Sequence, residues 1–452
     1  MHDLVINFKY LTVFTSFGFL FWLTSISLLF AIGVNLSNKS NRIANTKLTI
    51  RDSMYEFKKI KKFYRFSLEA SALIYYLFLP LPIFIIIIIS GILILQLERL
   101  NILNPVILGS ILCIVIIMIS AIIKSLLLKH PSIPEELKLK RKDAPLLFQI
   151  CDEISTYLEL DPINSIYLDH DSNISVFEDG TIKQHFTGQS KKCLIIGIGA
   201  LKNMTISQLK SILGHEFGHI YNKDTFGGSF ALFVRRNIKE AMKIIETDLM
   251  NRWYNPAWVY ISLFNKVFLR ISQGAARLQE LLADEISAYL FGSDLFSNSL
   301  LSFTKNQIEF SVIKKIGLMN ALNNNEEPDN IYLQGIPSVW PEDVKYSYGY
   351  IYMSFNHSST FDKPIDFIEH EFKIENTLDT DLFDSHPSLK ERLSHLDKIG
   401  TSSQLVDHKS ALTLIPEISY YQKMFTKALF EQIVSKMDYL TDLEYEKRLN
   451  RN

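Results

Sequence analysis

Thr205-Ile206-Ser207-Gln208-Leu209-Lys210-Ser211-Ile212-Leu213-Gly214-His215-Glu216-Phe217-Gly218-His219-Ile220 holds the chemistry of this chain and the start of the element that carries it. Thr205 to Gln208 fits a capping box, in which the threonine oxygen and the glutamine side chain satisfy free backbone donors reciprocally. Leu209, Ile212, Leu213, Phe217 and Ile220 recur at helical spacing, so the helix runs from Thr205 through the second histidine. Just upstream, Cys193 to Ile198 is an isoleucine-rich run of strand length, and Gly199 supplies turn chemistry after it. His215 and His219 stand at i and i+4, so they project from one helix face, one turn apart. Two imidazoles so placed can bind one zinc at about 2.0–2.1 Å per nitrogen. Glu216 leans to the side of that pair, where it can take a proton from a water on the metal. The rival reading is an exposed helix that carries two histidines by accident. The strand before it and the cap at its start weigh against that. Its composition is mixed, so it is not itself a membrane span.

A third ligand has to come from elsewhere in the chain, leaving a fourth position open. Arg277-Leu278-Gln279-Glu280-Leu281-Leu282-Ala283-Asp284 is the best candidate, on a helical stretch covering roughly Tyr254 to Phe291. Glu280 and Asp284 lie one turn apart on one face. One carboxylate can reach a metal while the other orients a ligating histidine from behind. The plain alternative is a solvated acidic face. His2, His130, His170, His185, His357, His370, His395 and His408 have no ligand spacing.

Around this centre the chain is 452 residues long, enough for two or three units with their own cores. A net charge of -1 leaves no basic field to attract phosphates, so nucleic acid is excluded as an expected partner. Cys113, Cys151 and Cys193 are odd in number and far apart, which argues against a disulfide framework or a thiolate cluster.

The N-terminal third is apolar. Three stretches, about 11–35, 71–97 and 105–123, are each long enough to cross a hydrocarbon core, which takes roughly 20 apolar residues. The first is too long for a cleaved signal peptide, and no small-residue cleavage site follows it. Pro80 and Pro82 are expected to kink the second. Between the first two lies a basic loop, 37–70, with Lys39, Arg42, Lys47, Arg51, Lys58, Lys59, Lys61, Lys62 and Arg65. Lys124, Lys129, Lys138, Lys140, Arg141 and Lys142 follow the third. The positive-inside rule then puts the basic loop and everything after Lys124 in the cytoplasm, with the N-terminus outside. The lipid bilayer is the first partner implied.

After a linker at Pro131 to Glu135, Leu146, Leu147, Ile150, Ile154, Tyr157 and Leu158 mark an amphipathic helix. Ile163 to Leu168 and Ile174 to Phe177 are further strand candidates. Asn323 to Thr380 is poorly periodic and stays unassigned, and Ala411 to Leu449 reads as helical. The expected organisation is a membrane region at 1–130, a metallopeptidase domain at 131–400 and a helical extension at 401–452. The fold class is α+β and mainly helical, with a small sheet.

These motifs resemble the membrane-anchored gluzincins, the group that includes the bacterial heat-shock peptidase HtpX and the CAAX prenyl endopeptidases. The family's H-E-x-x-H is followed by Asn-x-Asp, here Asn222-Lys223-Asp224. Its R-x-x-E-x-x-A-D segment matches Arg277 to Asp284, and its late H-P-x-x-x-x-R matches His386 to Arg392. An upstream Asn-Ala-Phe is only partly met by Asn173-Ile174-Ser175. The resemblance implies a zincin-type domain with one zinc per chain. His215, His219 and Glu280 would be its ligands, Asp284 would stand behind them, and Glu216 would be the base. His386 and Arg392 would face the site and stabilise charge on the substrate carbonyl. It further implies a metalloendopeptidase acting on protein or peptide substrates, in membrane protein quality control or processing. Members of the HtpX type carry two more spans between the second histidine and the glutamate. Here 226–234 is too short and 257–269 is interrupted by Lys266, so amphipathic helices are expected there. A substrate chain would pair with an edge strand, either Ile174–Phe177 or Cys193–Ile198. Two other classes are a non-catalytic membrane-bound zinc fold acting as sensor or scaffold, and a transport-associated protein. A base beside the metal argues against the first, and uncharged spans against the second.

Overall fold

The computed structural model describes residues 2–45, 66–126, 137–179, 189–222, 256–324, 326–340, 363–378, 387–403 and 406–449, with single positions at 63, 184, 238, 242 and 361. Four short strands form one sheet: β1 (Lys138–Leu139), β2 (Ser165–Asp169), β3 (Ile174–Asp179) and β4 (Lys191–Gly197), in the order β1-β2-β4-β3. β2 and β4 run parallel, and β1 and β3 are antiparallel to their neighbours. The rest of the described chain is largely helical, so the architecture is α+β and mainly helical, as the periodicity indicated. The three sequence-marked strands are all present, with ends shifted by at most two residues.

Helix Pro145–Tyr157 and helix Ile206–Tyr221, the motif helix, enclose the central core with the sheet. Leu147, Ile150 and Ile154 meet Ile166, Leu168, Leu194 and Ile196 from the strands, with Leu209, Ile212, Leu213 and Phe217 from the motif helix. Burying one such side chain contributes about 1.5–3 kcal/mol, so the apolar face of the motif helix is what fixes its seat. The cap is as read: the Gln208 amide donates to Thr205 Oγ1 at 3.2 Å, and the Thr205 amide donates to Gln208 Oε1 at 2.9 Å. The C-terminal part joins this core. Ser410 bridges to Thr205, the Ile206 amide donates to the Lys409 carbonyl, and Ala411, Leu414, Phe425 and Leu429 are buried in the same cluster.

One 36-residue helix, Pro256–Phe291, carries Glu280 and is called here the ligand helix. The expected amphipathic piece at 257–269 is simply its first half. A second long helix, Ser293–Asn324, follows after Gly292, whose φ of +95° makes the break between them a position for glycine. In the unassigned region, 326–340 and helix Pro364–Thr377 pack on this second helix through Trp340, Phe367 and Ile368. The segments 226–234 and 341–360 lie outside the described residues.

The membrane region departs from expectation. Among the described residues two helices, not three, are long and apolar enough to cross a membrane, Tyr10–Leu36 and Phe66–Arg99. Most of their side chains face outward. The third stretch does form helix Pro105–Leu126. Its described apolar part, Pro105–Ile116, is about 18 Å long against a hydrocarbon core of about 30 Å. The two prolines do more than kink their segment. The chain is helical over 66–77, turns at 78–80, and restarts at Leu81 with Pro82 in its first turn. That is the position where a missing amide hydrogen costs nothing. Most of the basic loop lies outside the described residues.

Candidate metal centre

The motif helix crosses the ligand helix at very short range, and two glycines allow it. A side chain at Gly218 would sit 3.0 Å from the Ala283 Cα, and one at Gly214 would enter the Phe291 ring at 2.6 Å. Close approach brings one face of each helix together, and three donor side chains converge between them. His215 Nε2 lies 3.2 Å from His219 Nε2 and 3.4 Å from Glu280 Oε2, and His219 Nε2 lies 3.6 Å from Glu280 Oε1. The two imidazole planes are nearly perpendicular, at 84°. For a tetrahedral zinc with bonds of about 2.0–2.1 Å, neighbouring ligand atoms stand about 3.3–3.4 Å apart. The observed spacings bracket that edge length. His215, His219 and Glu280 can therefore hold a metal ion as they stand.

Hydrogen bonding settles which nitrogen of His215 faces inward. Its Nδ1 lies 2.8 Å from Asp284 Oδ1, and Asp284 is fully buried. Nδ1–H donates to that carboxylate, which leaves the Nε2 lone pair pointing at Glu280 and His219. Lone pairs gathered this closely repel unless a positive charge sits among them. Burial works against a charge on His215, yet Asp284 and Glu280 outweigh it and push its pKa up to about 9. The pair of carboxylates thus favours positive charge at the point where the donors meet. Phe296 stacks on the other side of the ring, at 5.7 Å between centroids, and limits its rotation.

Arg392 enters from helix Leu389–Ile399, capped by Ser388. Its Nε and Nη2 donate to Asp284 Oδ2 and Oδ1 at 2.9 and 2.6 Å, a two-pronged grip. Nη1 lies 3.8 Å from Glu280 Oε2. Burial alone would raise the Asp284 carboxyl, but Arg392 and His215 outweigh it and hold it below the usual range. Arg392 is therefore in the site as the motif implied, with its fork directed at Asp284 rather than into open space. His386, Lys223 and Asp224 lie outside the described residues, and Asn222 caps the motif helix at its C-terminal end.

Glu216 stands beside the two histidines and accepts a hydrogen bond from the Val176 amide of β3 at 3.3 Å. Burial pushes its carboxyl up, and Glu280 adds to this against the two imidazoles. The Val176 contact had no signal in the sequence, because an edge strand's outward amide has no residue preference. The two glycines had one: both stand one helical turn apart inside the motif helix, where glycine is otherwise unfavourable.

The family model described as Peptidase family M48 matches residues 166–400, just over half of the chain. The chain belongs to peptidase family M48. The kinship implied by the three motifs is borne out. The matched span contains every residue of the His215–His219–Glu280 group and Arg392. Among curated proteins the chain is similar to Protease HtpX of Buchnera aphidicola subsp. Schizaphis graminum (strain Sg), with 23% identity over 175 residues, 34% of this chain and 53% of that protein. The match thus spans about half the length of this relative. No solved structure matches the chain significantly.

Proposed function

We propose that this chain is a membrane-anchored zinc metalloendopeptidase that hydrolyses peptide bonds of protein substrates. The observation that carries the proposal is the tetrahedral spacing of His215 Nε2, His219 Nε2 and Glu280, with Glu216 beside them. When bound, zinc supplies Lewis acidity, which makes a water easier to deprotonate and a carbonyl easier to attack. Glu216, its carboxyl pushed up by burial, takes the proton of the attacking water and later hands it to the leaving amine. Asp284 fixes the His215 ring, and Arg392 fixes Asp284. We assign Arg392 to positioning, and His386 to charge stabilisation at the carbonyl oxygen, as the motif implies.

Of the two strands considered for substrate pairing, β4 is flanked by β2 and β3, whereas β3 lies at one edge of the sheet among the described residues and reaches Glu216 through Val176. This favours a substrate strand laid along β3. Orientation has support as well. Trp22 stacks on Tyr260 and Gly33 abuts Ile271, so the first span and the ligand helix run side by side in the same direction. Glu280 then emerges on the side of the basic loop, which the positive-inside rule assigns to the cytoplasm.

The test uses detergent-purified, zinc-loaded protein and an unfolded model substrate, beside the Glu216→Gln variant. Cleavage by the wild type is expected, with a loss of at least about 10²–10⁴-fold in the variant and zinc content unchanged. Zinc binding without cleavage by either protein would instead support a silent zinc fold with a sensor or scaffold role.

A further inference from the structure

The half of the ligand helix that precedes the site is built into the membrane region. Tyr260, Ile261, Phe264, Val267, Phe268 and Ile271 share a buried cluster with Trp22, Ile26 and Leu29 of the first span and with Leu68, Ala72 and Tyr75. Trp22 and Tyr260 stack at 5.3 Å between centroids, and the Tyr260 hydroxyl donates to the Tyr75 carbonyl. The two helices come close at Gly33. A Cβ there would stand 3.0 Å from Ile271 Cγ1 and 3.1 Å from the Ile271 Cα and amide nitrogen. Any side chain at 33 must push the two helices apart. Nine residues on, about 13–14 Å along the same helix, is Glu280. Gly274 lies between without interrupting the helix. At the far end the geometry is tight, because the three donor atoms are already spaced 3.2–3.6 Å apart and tolerate little displacement.

Resting on the reading of the site as a zinc centre, we propose that the first membrane span is part of its scaffold, with Gly33 as a positioning residue for Glu280. The span does more than tether the domain. It sets the seat of the helix that brings the carboxylate to the two histidines. The motif helix carries both histidines from the soluble core, so the metal joins an element anchored in the sheet to one anchored in the membrane.

The experiment measures zinc affinity of the full chain in detergent by competition with a chromophoric chelator, with helicity by circular dichroism as a check on folding. Wild type and Glu280→Ala come first. If the wild type binds no zinc, the zinc reading itself fails, separately from this inference. With the wild type binding and Glu280→Ala weakened, Gly33→Leu is expected to lose about tenfold or more, the scale set by residues that orient metal ligands. Gly33→Ala should lose less, and Ile271→Ala in that background should recover part of the loss, because it removes the Cγ1 contact. Leu28→Ala, on the outward face of the same span, should bind as the wild type does. If Gly33→Leu fails to fold, Gly33→Ala and its Ile271→Ala rescue decide. Wild-type affinity in the folded Gly33 variants, or a loss that Ile271→Ala leaves untouched, would overturn the proposal.

Discussion

At the scale of single residues, the site rests on a chain of contacts running Arg392, Asp284, His215. Each link has one geometric task. Asp284 is fully buried and gripped by two nitrogens of Arg392, so truncating the arginine strands a carboxylate in the interior. Arg392→Ala is expected to cost about 3–5 kcal/mol of stability, and Arg392→Lys less, since lysine keeps the charge but loses the fork. Chemical unfolding in detergent measures the first effect. The same variant should lose zinc affinity along with activity, because His215 is no longer held. Intact zinc affinity with a reduced kcat would mean that Arg392 acts on the substrate instead. This residue was legible from its motif, and so were the two histidines, Glu216 and Glu280. What Arg392 touches was not, because sequence spacing says nothing of which partner a long cation finds across the fold.

At the scale of elements, the decisive contact is between the motif helix and the ligand helix. Gly218 lies in the middle of the motif, at a position the pattern leaves free, yet the crossing depends on it. Gly218→Val is expected to spread the helices, to lower thermal stability by about 1–3 kcal/mol, and to weaken zinc binding more than it weakens folding. A calorimetric scan with and without zinc separates the two: the zinc-dependent part of Tm should shrink. If that part is unchanged, the crossing is not what sets the donor spacing. The caps and amphipathic faces of these elements were readable because they are local. Thr205 to Gln208 gave the helix start to the residue. The ligand helix was anticipated at roughly Tyr254 to Phe291 and runs from Pro256 to Phe291. The turn at 78–80 was foreseen only as a kink, since prolines announce a disturbance but neighbouring packing decides its size.

At the scale of the molecule, three parts supply the centre: the motif helix, the ligand helix and the late helix bearing Arg392. A cation among them would tie all three. Binding the native arrangement and not the unfolded chain, it would add about 4 kcal/mol at a concentration a thousand times its Kd. Removing zinc with a chelator is expected to lower Tm by several degrees in the wild type and to leave Glu280→Ala nearly unmoved. An equal drop in both would mean that the metal stabilises the protein from another place. The segment 406–414 is bound to the same core as the motif helix, through the bridge at Thr205 and Ser410.

The amino-acid sequence by itself determined the periodic and capped elements, the apolar stretches, the zinc-binding pattern and the kinship with a peptidase family. Each of these depends on residues close together in the chain, or on spacings that a single helix turns into a face. The tertiary structure decided the rest. It put β3 rather than β4 at an edge of the described sheet, aimed Arg392 at Asp284, and laid the ligand helix along the first span through Gly33. The strand order hinges on pairings between residues 12 to 28 positions apart, and the other two outcomes on contacts 108 and 238 positions apart, which close packing settles and no local pattern encodes.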